Sequence, residues 1–506
     1  MNAAKPPVGR VCLVGAGPGD PGLITVRGLD RLSQADVVLY DYLTNPQLLR
    51  FVKPGAQAIC LGRHGGTRIW TQQEINARLI ELARGGKLVV RLKNGDPAIF
   101  ARGAEEAQAM SEAAIPFEMV PGITAALAAG SYAGIPVTHR NLASAVALVT
   151  GQQTHDESGD SLDYQALARF PGTLVFYMGV TTAADWTTAL ITAGKPIGTP
   201  AAIVRRCSLP DQVVIRCTLG DVASRLAPEN KIRPPVVVIV GEVANLAGSL
   251  DWFDRRPLFG RRVLITRPEA QANRLASLLE DQGAHVVRQP AIRIGPPADW
   301  GPVDAALANL AALDWLVFSS SNGVQYLLDR LLANGGDLRA LASIRLAAIG
   351  PGTSEALRRY YLRADRLPDT YRAESLAAAL ARDAPGKRFL LARASRGREV
   401  LAKQLIAAGG LVEQVVVYQS EDCPTPNGNV TELLASGQIN YTTVTSSAIA
   451  KSLANMFGDK LRKSRLVSIS PITSSALRQI GLEPAIEASD YTMQGVVDAI
   501  LRDVGK

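Results

Sequence analysis

At 506 residues, with 47% hydrophobic and 20% charged side chains, the chain is too long for one core and too apolar for disorder, so roughly three or four lobes of ~100–200 residues are expected. A net charge of +8, spread out rather than gathered in blocks with interleaved aromatics, argues against nucleic acid and suits a small, multiply anionic substrate. No stretch reaches the ~18 apolar residues of a membrane span, and Met1-Asn-Ala-Ala-Lys5 lacks a signal-peptide core, so a cytoplasmic protein is expected.

Five scattered cysteines form no C-x-x-C pair, the histidines form no H-E-x-x-H, and there is no G-x-S-x-G. Zinc sites, disulfide frameworks and serine-triad chemistry lose most of their support.

Arg10 to Gly15 reads as a buried strand ending in Gly15-Ala-Gly-Pro-Gly-Asp-Pro-Gly22, followed by a helix through Val26, Leu29 and Leu32. Asp36 to Tyr40 is a second strand, closed by Asp41. A dinucleotide site also places glycines after one strand and an acid after the next, but Pro18 and Asp20 remove an N–H and add negative charge where pyrophosphate would sit. Thr71-Gln-Gln-Glu74 is a capping box opening a helix that ends at Gly85-Gly86. The strand that follows runs into Asn94-Gly-Asp-Pro97, where Gly and Asn tolerate positive φ and Pro97 holds Asp96 extended. An acid is thereby left at a strand's carboxyl end, where ligands sit in open α/β sheets. Gly103 to Ala113 reads as helix, Pro116 to Val120 as strand, and Pro121 to Ala126 as a second tight turn, small enough to let something approach the backbone.

Strands at 145–150, 173–178, 201–204, 212–215 and 235–240, with a helix near 183–193, make a second and partly antiparallel lobe. Charges and Pro257 in 251–260 mark a linker. Beyond it lies an internal repeat. Ile349-Gly-Pro-Gly-Thr353 recurs as Ile469-Ser-Pro-Ile-Thr473, Leu275, Leu279 and Gly283 recur as Leu401, Leu405 and Gly409, and the serines after Phe318 recur after Val444. Two similar α/β lobes with hydroxyl-bearing turns are implied. Most such serines and threonines are ordinarily helix N-caps; as a set on both lobes they also suit anionic groups.

Residues from about 10 to 250 resemble uroporphyrinogen-III C-methyltransferases. The motifs are Val14-Gly-Ala-Gly-Pro-Gly-Asp-Pro21, Arg91 to Gly103, Pro121 to Ala126, Tyr132-Ala-Gly-Ile-Pro-Val-Thr-His-Arg140, Phe176-Tyr-Met-Gly179 and Gly241-Glu-Val243. Residues 261–506 resemble uroporphyrinogen-III synthases through the two Pro-x-Thr turns, the Ser-rich strand ends and Val415-Val-Val-Tyr418. The resemblance implies an α/β chain: a two-lobed methylase domain at 8–250 (lobes about 8–125 and 126–250), the linker 251–260, and a two-lobed synthase domain at 261–506. The synthase lobes are expected at about 261–293 plus 420–506 and at about 298–416.

By resemblance the first half binds S-adenosylmethionine through Pro18, Asn94, Gly95, Asp96, Ile99, Thr124, Ala125, Met178 and Cys207, with Asp41 as proton acceptor, Arg63 as a catalytic cation and Arg140 on the substrate. The second half cyclises hydroxymethylbilane to uroporphyrinogen III without a cofactor, with Tyr418, Thr353 and Thr473 catalytic and Ser319 and Ser446 binding substrate. Two methylations then give precorrin-2 for sirohaem or cobalamin synthesis. A homodimer through the methylase half is implied, with no metal and no membrane partner. The sequence departs from the family at Asn94 and Cys207, where Gly is usual, and at Arg63, where Lys is usual; Asn94 is expected to preserve the turn by adopting positive φ. Two rivals are a nicotinamide-dependent oxidoreductase fused to a small-molecule-binding α/β domain, and a two-lobed ligand sensor.

Overall fold

The structure, a computed structural model, describes residues 8–62, 69–152 and 162–505. The chain divides into two compact units, Met1–Gly260 and Arg261–Lys506. Each has two five-stranded sheets.

In the first unit, strands β1 (Arg10–Gly15), β2 (Val37–Tyr40), β3 (Gln57–Cys60), β4 (Leu88–Lys93) and β5 (Phe117–Val120) form a wholly parallel sheet in the order β3-β2-β4-β1-β5. Helices cover it, so Val11 to Val14 and Val89 to Lys93 are buried on both faces, which explains the apolar run Val11-Cys-Leu-Val14 and makes Arg91 and Lys93 buried charges. The chain leaves β1 for β2 on one side, and leaves β4 for β5 on the other. The strand order therefore reverses between β1 and β4, the place where such sheets open a crevice at their carboxyl ends.

The second sheet, from β6 (Val146–Thr150), β7 (Thr173–Tyr177), β8 (Pro200–Arg205), β9 (Val213–Thr218) and β10 (Val236–Val240), has the order β6-β7-β10-β8-β9. Only β6 and β7 run parallel. Phe176 stacks on Trp186 with ring centroids 4.0 Å apart, fixing the helix Ala183–Thr192 on this sheet.

Residues 251–260, expected as a linker, are instead part of the first unit's core. Phe253 and Leu258 are buried; Phe253 packs edge-on to Tyr132 at 4.7 Å, and Arg256 lies over the Phe253 ring. Of the charges that suggested a linker, Arg255 pairs locally with Asp251, whereas the half-buried Asp254 accepts from Gln212 of the unit. The two aromatics between them supply the packing.

The second unit shows the repeat as topology. Strands β11 (Arg262–Ile265), β12 (His285–Arg288), β18 (Tyr441–Val444), β19 (Arg465–Ser468) and β20 (Ile486–Glu487) make one sheet, ordered β12-β11-β18-β19-β20 and parallel throughout. Strands β13 (Ile292–Gly295), β14 (Trp315–Phe318), β15 (Arg345–Ala348), β16 (Arg388–Ala394) and β17 (Leu411–Asp422) make the other, ordered β13-β17-β16-β14-β15. In the repeat β16 answers β11, β17 answers β12, β14 answers β18 and β15 answers β19. Arg366 bridges to β15 as β20 pairs with β19. The addition is β13, antiparallel to the far end of β17.

Candidate active sites

Loops from both sheets of the first unit meet at the switch point. Gly17 and Gly95, both at φ 73°, exchange two backbone hydrogen bonds of 3.2 and 2.9 Å, zipping the turn after β1 to the turn after β4. A Cβ on Gly122 would lie 2.3 Å from the Gly95 oxygen and 2.7 Å from the Gly15 Cα. What the small residues of these turns admit is therefore the neighbouring turn. Asp96 completes the tie: Oδ1 accepts from Ala98 N at 2.7 Å and Oδ2 from Gly122 N at 2.9 Å. Both oxygens of this expected cofactor contact thus hold loops together.

Asn94 is not at positive φ; the left-handed position belongs to Gly95, so a side chain at 94 costs the turn nothing. Its Oδ1 is buried with no partner, as is Thr44 Oγ1. Buried acceptors left unpaired are costly unless a ligand donates to them. Asp41 stands at the end of β2, with Oδ1 accepting from Arg91 Nη2 at 2.6 Å and Oδ2 only 3.4 Å from Asn94 N. Behind it lies a buried chain of charges. Arg91 Nε reaches Glu106 Oε1 at 3.1 Å, and Lys93 Nζ reaches the same oxygen at 2.7 Å. Burial opposes the Arg91 charge, but Asp41 and Glu106 outweigh it and raise its pKa; burial, reinforced by Arg91, lowers that of Lys93. The alternation of β4 puts residues 89, 91 and 93 on one face, opposite Glu106 on the helix Gly103–Glu112.

From the other sheet come Tyr177, Met178 and Cys207. The Tyr177 hydroxyl lies 2.7 Å from Thr124 Oγ1 and accepts from Ala126 N at 2.8 Å, while its ring meets Phe100 at 5.1 Å. Met178 is exposed. Cys207 is buried, with Sγ 3.9 Å from the Ala125 oxygen, and burial pushes its thiol up to about 12, so it is a neutral wall. Ser208 Oγ accepts from Asp20 N at 2.9 Å, and Pro18 is buried in the same turn. Of the eight non-glycine residues at positive φ among the described residues, five lie in these loops: Phe100, Arg102, Met178, Arg206 and Ser208. Backbone held in a sparsely populated region is characteristic of ligand loops. Pro18, Asn94, Gly95, Ile99, Thr124, Ala125, Met178 and Cys207 thus stand in the loops at this crevice. Arg140 is exposed, with no hydrogen bond or ion pair to described residues, and Arg63 falls outside the described residues.

In the second unit Tyr418 is buried on β17, its hydroxyl 3.0 Å from Ser320 Oγ and its ring stacked 5.9 Å from Tyr326. Burial raises its pKa, against hydrogen bonds from Ser320 and Asn322, so the phenol stays a proton donor. Ser320 caps the helix Ser321–Ala333, accepting from Gly323 N at 3.0 Å. Ser446 is likewise a cap, accepting from Ile449 N at 3.2 Å; the serine expected on substrate therefore has a structural use. Ser319 is exposed. Thr353 and Thr473 are buried at matching positions in the first turns of helices Pro351–Arg358 and Pro471–Gln479. Tyr371 and Tyr491 are exposed, Tyr371 beside Gly350 at the first of these turns.

Two family models match, "Tetrapyrrole (Corrin/Porphyrin) Methylases" over residues 10–223 and "Uroporphyrinogen-III synthase HemD" over residues 273–498. The porphyrin biosynthesis protein HemD of Ruminiclostridium josui is 34% identical over 496 residues, spanning 97% of this chain and 98% of that one. The chain belongs to the family of fused tetrapyrrole methylases and uroporphyrinogen-III synthases. The uroporphyrinogen-III C-methyltransferase of Bacillus subtilis is 37% identical over 72% of this chain and 74% of its own. The siroheme synthase of Zymomonas mobilis is 49% identical over 256 residues, and the chain spans about half of it, 53%. A uroporphyrin-III C-methyltransferase from Thermus thermophilus, solved with S-adenosyl homocysteine, aligns over 47% of this chain and all of its own, with 39% identity and a TM-score of 0.41. This fused methylase–synthase is an enzyme of tetrapyrrole biosynthesis, and neither family match supports a nicotinamide-dependent oxidoreductase. Among the described residues no helix is long and apolar enough to cross a membrane.

Proposed function

We propose that the second unit closes hydroxymethylbilane to uroporphyrinogen III, and that the first unit methylates this product twice to precorrin-2 with S-adenosylmethionine as donor. The observation that carries this reading is that two families acting on successive tetrapyrroles match side by side in one chain. The +8 charge suits intermediates with eight carboxylates.

The unpaired buried Asn94 Oδ1 fits a donor-bearing ligand at the switch point. Pro18, Asn94, Gly95, Ile99, Thr124, Ala125 and Met178 would hold S-adenosylmethionine there, Asp96 acting through the loops it ties. When bound, the sulfonium supplies a methyl group that a nucleophilic ring carbon takes, breaking the methyl–sulfur bond. The substituted ring system then loses a proton, and Asp41, whose Oδ2 has only a long contact to the Asn94 amide, is placed to accept it. Arg91 keeps that carboxylate oriented. In the second unit the terminal hydroxyl of the bilane leaves as water; the Tyr418 phenol supplies the proton, directly or through Ser320. The substituted carbon of the last ring bonds the methylene cation left behind and its bond to the neighbouring methylene breaks; the freed methylene then bonds the last ring's open carbon, closing the macrocycle with that ring inverted, and the proton this carbon loses returns to the phenolate.

A homodimer joined through the first unit, in the cytoplasm, completes the reading; sedimentation of the purified chain tests the dimer. The test of function is anaerobic incubation with fresh hydroxymethylbilane and methyl-labelled S-adenosylmethionine. Labelled precorrin-2 is the expected product. Unlabelled type III isomer alone would remove the methylase assignment, and type I isomer alone the synthase assignment.

A further inference from the structure

Arg267 of the second unit meets no carboxylate among the described residues. It follows β11 at the carboxyl end of its sheet and is half-buried. Nη2 donates to Gln271 Oε1 at 2.9 Å and Nη1 faces Met493 Sδ at 3.5 Å, while Nε is buried without a partner. No acid among the described residues pairs with it, and burial pulls its pKa down.

The internal repeat provides a control. The offset that aligns Leu275 with Leu401 aligns Arg267 with Arg393 and Asn273 with Glu399. Arg393 meets Glu399 at 3.8 Å and Gln414 at 2.9 Å. One lobe thus answers its arginine with an acid; the other has an amide at the matching place and leaves the guanidinium open. An isolated buried cation destabilises a fold unless an anion arrives, and a guanidinium fork matches a carboxylate.

Arg267 is also wired to Tyr418. Gln271 Nε2 donates to Asn322 Oδ1 at 2.6 Å, and Asn322 hydrogen-bonds the Tyr418 side chain. This chain of contacts joins the two lobes of the unit.

We propose that Arg267 is a carboxylate subsite, binding one acidic side chain of the linear tetrapyrrole that the second unit cyclises. The proposal rests on the synthase reading above.

The test is steady-state formation of type III isomer from hydroxymethylbilane by the full-length protein without S-adenosylmethionine, comparing wild type, Arg267→Met and Arg267→Lys, with thermal unfolding of each. Arg267→Met raises KM about 10- to 100-fold, the span of one charged hydrogen-bonded contact, with kcat changed far less. It also raises the Tm of the second unit, because an unanswered half-buried charge is removed. Arg267→Lys falls between in KM. A wild-type KM in Arg267→Met overturns the subsite, as does a fall in Tm with a matching loss of kcat in both variants, which makes the residue structural. Wild-type protein yielding only type I isomer sinks the synthase reading, and the subsite with it.

Discussion

Asp41 and Arg91 share a 2.6 Å contact with Arg91 almost wholly buried, and this decides what a change at Asp41 does. Asp41→Asn removes the proton acceptor and leaves Arg91 with Glu106, which Lys93 also contacts. Methyl transfer in single turnover is expected to fall roughly 10²- to 10⁴-fold, while equilibrium dialysis of S-adenosylmethionine changes little; a parallel loss of binding would make Asp41 a ligand residue. Cys207 gives a prediction in pH. Its folded pKa of about 12 lies above the free-thiol value of 9.0, so the folded state keeps a proton that the unfolded chain loses. Stability is therefore full below pH 9 and declines as pH rises towards 12, by up to about 1.4 kcal/mol per unit for this one group. Urea midpoints of wild type and Cys207→Ala at pH 8 and pH 10 should converge at the higher pH, and an unchanged difference would refute the buried neutral thiol. The Asp41 and Asn94 positions were legible in the sequence as strand-end residues. Arg91, Lys93 and Glu106 were not, because nothing local announces that two cations in a buried strand meet an acid from the next helix.

The turns after β1, β4 and β5 behave as one element. Gly17 pairs with Gly95, Asp96 with Gly122, and Gly15 touches Gly122, so a Cβ at Gly122 has backbone on two sides and no flexible side chain to displace. Gly122→Ala is expected to destabilise the first unit by roughly 1–3 kcal/mol through overpacking, and to weaken S-adenosylmethionine binding more than at least tenfold as Asn94 and Gly95 shift. Calorimetry with and without the ligand separates the two effects; wild-type affinity in a destabilised protein would mean that the loops relax elsewhere. Periodicity and glycine placement made the first unit's strands other than β3, the capping box at Thr71 and the partly antiparallel second sheet readable. The partners of these turns were not, since contacts between loops far apart in sequence follow from strand order, which local patterns leave open. The serines were easier: Ser320 and Ser446 stand after strands and before helix patterns, where N-caps are the ordinary use, and both are caps.

For the molecule as a whole, the repeat was readable because two copies of one pattern constrain each other, and the sheet orders of the second unit express it directly. The boundary was harder. Charges and Pro257 read as a break after residue 250, yet Phe253 and Leu258 are 2% and 0% exposed, and Phe253, Tyr132 and Phe259 form a contiguous aromatic group. Gln212 Nε2 also donates to Asp254 Oδ1 at 3.0 Å, and Trp252 Nε1 to the Ser131 oxygen at 2.9 Å. The first unit therefore needs residues 251–260. A fragment of residues 1–260 should unfold cooperatively and methylate supplied uroporphyrinogen III, whereas one of residues 1–250 loses two buried side chains worth about 2–5 kcal/mol each, a large share of a typical 5–15 kcal/mol. Tm and methylation measured on the two fragments decide it. Equal stability would show that the aromatic segment merely rests on the unit, and restoring Phe253→Ala in the longer fragment to wild-type stability by adding a separate peptide of residues 251–260 would show that the packing, rather than the covalent continuity, is what the unit requires.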